Sequence, residues 1–172
     1  MSLLTLTSIA HVELDHDWGL DHGTWTIIRH MYPEAKVPVL QLSIDHTKGP
    51  QYHYELAKEL YALRKKGVLI VGSGNMVHNL RMVAWDKMLE PEYGYDWALN
   101  INDQFKELIA TGNYQRLINY ESLEREAQLA IPTPEHYLPL MYTLGAGGSD
   151  QVSFFNDKAV GGSLTMTSVK FG

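Results

Sequence analysis

The stretch Gly67 to Arg81, GVLIVGSGNMVHNLR, constrains the fold more than any other part of the chain. It opens with a short, mostly β-branched apolar run, Val68-Leu69-Ile70-Val71. Such a run suits a strand buried on both faces. Gly72-Ser73-Gly74-Asn75 follows, and its two glycines let the backbone turn sharply and pass close to whatever lies above it. His78 then arrives beyond the carboxyl end of the strand, where open α/β sheets build their sites. An imidazole there serves as a metal ligand, as an acid/base group, or simply as a partner for a turn carbonyl, and the pattern alone does not choose.

The residues before this stretch suggest what the strand belongs to. Val37 to Ile44, VPVLQLSI, alternates apolar and polar and reads as a second strand. Between them, Gln51 to Lys66 reads as a helix, with Leu56, Leu60 and Leu63 on one stripe, basic residues in its last turn and Gly67 as its stop. His53 rides this helix as a surface residue. Strand, helix, strand is a βαβ unit, which implies parallel strands and a right-handed crossover. The expected fold class is therefore α/β, a mixed sheet with a parallel βαβ core flanked by helices, in a single domain over residues 1–172.

Further elements follow along the chain. Met1 to Ala10 reads as a strand, and Thr26 to Tyr32 as a short helix ending before Pro33. Asp96 is an N-cap for a helix to Thr111, with Gly112 as its stop. Shorter helices fit Tyr114 to Ile118 and Glu121 to Leu129, and Gly145 to Gly148 reads as a loop. Gln151 to Phe155 and Ser163 to Phe171 alternate and form a closing, hairpin-like pair of strands.

Composition narrows the function. The net charge is −6, and no basic cluster exceeds Arg64-Lys65-Lys66, so nucleic acid is not a partner. No apolar stretch approaches the ~20 residues that span a bilayer, and no secretory pattern is present, so a cytoplasmic protein without a membrane partner is expected. Cysteine is absent, so any transition-metal site must be built from imidazole and carboxylate. Eight histidines are available for one: His11, His16, His22, His30, His46, His53, His78 and His136.

Three stretches carry them in suggestive settings. His11 to Asp17, HVELDHD, spaces two histidines among acids, as a metal loop does, and equally as a solvated connection does. Trp18 to Trp25, WGLDHGTW, brackets Asp21-His22 with glycines and tryptophans, which would give His22 a special backbone geometry and an apolar wall for a planar ligand. In Ile131 to Gly145, Thr133 and Pro134 make a good helix start, which places Glu135-His136 in the first turn. Pro139 either kinks that helix or marks its true beginning near Leu138. Proline-pinned placement suits a metal ligand, and also a capping histidine. Gly72-Ser73-Gly74 lacks a following Lys-Ser/Thr and fits no nucleotide fingerprint.

WGLDHGTW, YPEAKVPVLQLSID, GSGNMVHNLR and PTPEHYLPL, in this order, make the chain resemble the extradiol aromatic ring-opening dioxygenases of the DOPA dioxygenase type (class III, LigB-like) from about Asp17 to its end. The resemblance implies an α/β sandwich that opens a catechol-type ring beside its hydroxyls, using O2 and a non-haem Fe(II), or Zn(II) in some members. It places His136 in the metal site and His78 beside the metal, as ligand or acid/base group. His22 lines the substrate pocket, and His22 or His78 is the general base. Trp25 and Tyr137 are candidate pocket walls.

The chain departs from the family pattern at its start. Full-length members carry Gly-His-Gly-Ser-Pro and Ser-x-His-Trp stretches whose histidines are metal ligands, and neither occurs here. His11 and His16 do not match them. The expectation is an incomplete Fe(II) or Zn(II) site, since such oxygenase sites need about three protein ligands. An exposed edge or face that pairs with another copy is also expected. Two other readings stand beside this one: a catalytically silent domain, and a zinc-dependent hydrolase.

Overall fold

The computed structural model describes residues 7–172, so most of the strand expected over Met1 to Ala10 lies outside the described residues. The described helices are α1 (His22–Met31), α2 (Pro50–Arg64), α3 (Asp96–Ala110), α4 (Tyr114–Ile118), α5 (Arg125–Ala130) and α6 (Leu138–Gly147). The strands are β1 (Val152–Phe155), β2 (Ala159–Val160), β3 (Leu164–Thr165) and β4 (Ser168–Phe171).

The helix α6 is the axis of the packing. Its sequence LPLMYTLGAG is apolar nearly all round, and all its residues but Thr143 are buried, as a central helix requires. It begins at Leu138 with Pro139 in its first turn, where the missing N–H costs nothing. The glycines read as a loop from Gly145 are in fact its last turn. A Cβ at Gly145 would lie 2.5 Å from the Tyr54 carbonyl oxygen and 2.7 Å from the Ala57 Cβ, so glycine there lets α2 and α6 touch backbone to backbone. Gly148 then ends the helix at φ 62°.

The helix α2 starts on Pro50 and buries His53, Leu56, Ala57 and Leu60. Gly67, at φ 81°, stops it as its sequence indicates. The Gly67 N–H donates to the Arg64 carbonyl at 3.0 Å and the Val68 N–H to that of Leu63 at 3.2 Å. Arg64 ties this end to the others, donating to the carbonyls of Ala146 (2.9 Å) and Phe171 (2.9 Å) and pairing with Asp150 at 2.8 Å. On the other side of α6, the larger core gathers Ile101, Phe105 and Ile109 of α3 with Val77, Leu117, Tyr137, Met141 and Leu144. The helix α3 starts at Asp96 itself, with Tyr95 as the flanking residue. Asp96 thus meets the helix dipole from inside the first turn rather than as a cap.

The described residues show no parallel βαβ core. Their sheets are two antiparallel pairs, β1 with β4 and β2 with β3. In the first, Val152 faces Phe171 and Phe155 faces Ser168. The segments Val37 to Ile44 and Val68 to Val71 flank α2 in the expected order, and Leu42, Ile44 and Ile70 pack against it. Neither segment is a strand in the described structure. Leu40 is 70% exposed and Leu69 60% exposed, so these runs are not buried on both faces. An apolar run reports a need for cover, but a strand also needs a ladder partner.

Candidate active site

Two histidines 58 positions apart in sequence meet at the start of α6. The rings of His78 and His136 stack with centroids 3.9 Å apart and planes 26° from parallel. The glycine turn makes this possible. A Cβ at Gly72 would lie 2.5 Å from the Pro139 carbonyl oxygen, and one at Gly74 would collide with that of His136. With no side chain at either position, the turn lies directly on the entrance of α6, and the Asn75 N–H donates to the His136 carbonyl at 2.8 Å.

Each histidine is held by its backbone. The His78 N–H donates to the Ala130 carbonyl at 2.8 Å, and His78 forms an isolated antiparallel bridge with Leu164. The Asn75 side-chain amide donates to the Thr165 carbonyl (2.8 Å) and that of Asn79 to the Leu129 carbonyl (2.8 Å), fixing both ends of the segment. His136 closes the short 3₁₀ turn Pro134–His136. Beside it, the Thr133 hydroxyl donates to Glu135 at 2.8 Å.

The electrostatics separate these groups. Burial, and then the proximity of His136, pushes the proton affinity of His78 down and favours its neutral, proton-accepting form. The backbone N–H and the Thr133 hydroxyl hold the Glu135 carboxyl low, with smaller help from His136 and His46. His46 lies in the exposed turn after Ile44. Nothing in its SIDHTKG setting distinguishes it from an ordinary turn residue.

The GLDHG stretch reaches the site by a different route from the one its glycines suggest. His22 begins α1, and the Asp21 carboxylate caps that helix by accepting from the Thr24 N–H at 2.9 Å. Asp21 is thus the N-cap of α1. The Ser73 hydroxyl donates to the Gly23 carbonyl at 3.1 Å, so the N-terminus of α1 sits on the glycine turn, next to the His78 segment. Trp25 lies on α1, 45% exposed. Tyr137 is not a pocket wall. It is 1% exposed, packs against Phe105 and Tyr120, and donates its hydroxyl to the Leu117 carbonyl at 2.9 Å.

Among the described residues, no group of three or more histidine, aspartate or glutamate side chains is placed to hold an ion. The stack itself argues against His78 and His136 sharing one. Each imidazole aims its lone pair within its own ring plane, so two parallel rings bound to one ion would lie side by side around it rather than face to face. The arrangement suits one ligand with a second imidazole beside it.

Comparison with known proteins adds the following. A family model described as the catalytic LigB subunit of aromatic ring-opening dioxygenase matches residues 2–172. A protein of Escherichia coli (strain K12) named 4,5-DOPA dioxygenase extradiol is 43% identical over 176 residues, a match covering 99% of this chain and 63% of that one. One of the same name from Beta vulgaris is 33% identical over 172 residues, covering 98% of this chain and 62% of its own. A crystal structure of an uncharacterized Escherichia coli K12 protein superimposes with a TM-score of 0.85 at 40% identity, over 97% of this chain and 69% of that one. The chain thus spans 63% and 62% of the length of these two curated relatives.

Proposed function

The chain belongs to the LigB family of aromatic ring-opening dioxygenases, and from that premise we propose that it serves the extradiol opening of a catechol-type, DOPA-like ring by O2. The observation that carries this reading is the contact between His78 and His136, which gives one face both an exposed imidazole and a half-buried neutral one. We assign His78 as the acid/base group that accepts a phenolic proton from the diol, for which a half-buried neutral imidazole is suited. His136 is the ligand this chain offers to a non-haem metal, Fe(II) or Zn(II). Among the described residues no group of three or more histidine, aspartate or glutamate side chains is placed to hold such an ion. His22, on the rim where α1 meets the glycine turn, and the exposed Trp25 line the approach of the aromatic substrate.

One observation favours a second reading. No group of three or more such side chains gathers among the described residues, and a chain that supplies no further donors would be catalytically silent on its own. Metal content per polypeptide, followed by O2 uptake and ring-opened product from catechols, decides between them. Tightly held iron or zinc near one per chain together with turnover supports the dioxygenase. No retained metal and no turnover supports the silent domain. In an active preparation, His78→Ala is expected to lower kcat about 10²- to 10⁴-fold, the usual worth of a general acid/base. His136→Ala is expected to lose metal as well as turnover. Near-normal turnover in either variant would overturn the role given to it. No described helix is long and apolar enough to cross a membrane.

A further inference from the structure

The residue that sequence reading places on the surface, His53, is wholly buried. It stands between three parts of the chain. Its Nε2 is 3.1 Å from the Asp45 carbonyl oxygen and its Nδ1 is 3.0 Å from the Tyr142 hydroxyl. A carbonyl only accepts, so Nε2 carries the hydrogen and donates it to Asp45. Neutral His53 then has a bare Nδ1, which accepts from the Tyr142 hydroxyl. Asp45 opens a tight turn in which its carboxylate accepts from the Thr47 N–H (3.0 Å) and its carbonyl from the Lys48 N–H (3.1 Å). That turn carries the exposed His46. Tyr142 lies on α6, the helix that His136 precedes.

We propose that His53 is a latch: in its neutral form it holds the Asp45–Lys48 turn, which carries His46, to α6 through Tyr142, and its protonation releases that turn. The residues of the turn are exposed, and the His53 ring joins the Asp45 carbonyl among them to Tyr142 of α6. Protonation places a second donor on Nδ1, opposite a hydroxyl that was itself donating. The Tyr142 hydroxyl must then rotate to accept, and a charge is left in a buried site. The other groups facing the ring are Tyr52, edge-on at 5.3 Å, the Asp45 carboxylate and Lys48, whose ammonium lies over the Tyr52 ring at 5.8 Å. Burial outweighs the favourable carbonyls of Lys48 and Asp45 and the Asp45 charge, and holds the proton affinity of His53 below its ordinary value. The latch does not depend on reading the His136 face as the site.

Amide hydrogen exchange of Thr47 and Lys48, corrected for intrinsic rates, tests this on the chain alone, without metal or substrate. As the pH falls below about 6.5, opening of the turn is expected to rise toward tenfold per pH unit, while α2 and α6 stay protected. His53→Gln keeps a donor and an acceptor but cannot titrate, and should abolish that pH dependence. Tyr142→Phe removes the hydroxyl that stabilises bare Nδ1, and should raise the His53 titration midpoint measured by NMR. A purely space-filling histidine would predict neither effect. Equal pH dependence in wild type and His53→Gln overturns the proposal, as does an unmoved midpoint in Tyr142→Phe. If the exchange results hold and no ring-opening activity is found, the dioxygenase reading fails and the latch stands.

Discussion

Tyr137 and His136 are neighbours with opposite fates. His136 is exposed at the mouth of the candidate site, and Tyr137 is sealed in the core with its hydroxyl on the Leu117 carbonyl. Burial raises the Tyr137 hydroxyl far above its ordinary proton affinity, so it remains a neutral donor. Tyr137→Phe should therefore cost about 1–2 kcal/mol in urea unfolding, because the buried carbonyl loses its donor, and should leave metal affinity unchanged. A loss of metal or turnover without loss of stability would return Tyr137 to the site. The burial of His53 has a consequence for the whole folding equilibrium. Its proton affinity is lowered on folding, so below about pH 6.5 the unfolded chain binds the extra proton more readily. Its contribution to stability is complete above that value and is lost as the pH falls through the folded-state value. The urea midpoint should drop between pH 7.5 and pH 5.5, and drop less in His53→Gln.

At the scale of elements, α2 and α3 were legible because their apolar residues repeat with the helical period and a glycine follows each of them. The last turn of α6 was not, because Gly145, Gly147 and Gly148 carry no hydrophobic signal. Their role is to be small against particular neighbours: Tyr54 and Ala57 for Gly145, and the Phe171 ring for Gly147. Gly145→Ala should destabilise by about 1–3 kcal/mol through overpacking of the α2–α6 contact, despite alanine's better helix propensity. A stabilised variant in thermal melts would show that α2 and α6 do not meet this closely. The same logic explains the site. The sequence offers Gly72 and Gly74 as a flexible turn, and the structure uses them to let one backbone lie on another, which brings His78 to His136.

Across the whole molecule, apolar side chains fall into two populations that composition cannot separate. Phe105 is wholly buried among Tyr137, Ile101 and Met141, whereas Leu69 is 60% exposed. Phe105→Ala should cost about 3–5 kcal/mol. Leu69→Ser should change stability by no more than about 0.5 kcal/mol, the usual range for surface positions. A large loss from Leu69→Ser in chemical denaturation would mean that this segment is covered in solution. From its residues alone, the sequence determined the helical bodies, the glycine stop at Gly67, the extended run at Val152 to Phe155 and the histidines worth watching, because each of these follows from local period, turn chemistry or residue type. The run from Ser163 to Phe171, read as one strand, is two, Leu164–Thr165 paired with Ala159–Val160 and Ser168–Phe171 paired with Val152–Phe155. Only the tertiary structure decided that the extended runs around α2 form no parallel sheet among the described residues. It also decided that Tyr137 and His53 are core residues and that His78 stacks on His136. Pairing, burial and ring orientation are properties of contacts between distant segments, which no local pattern encodes.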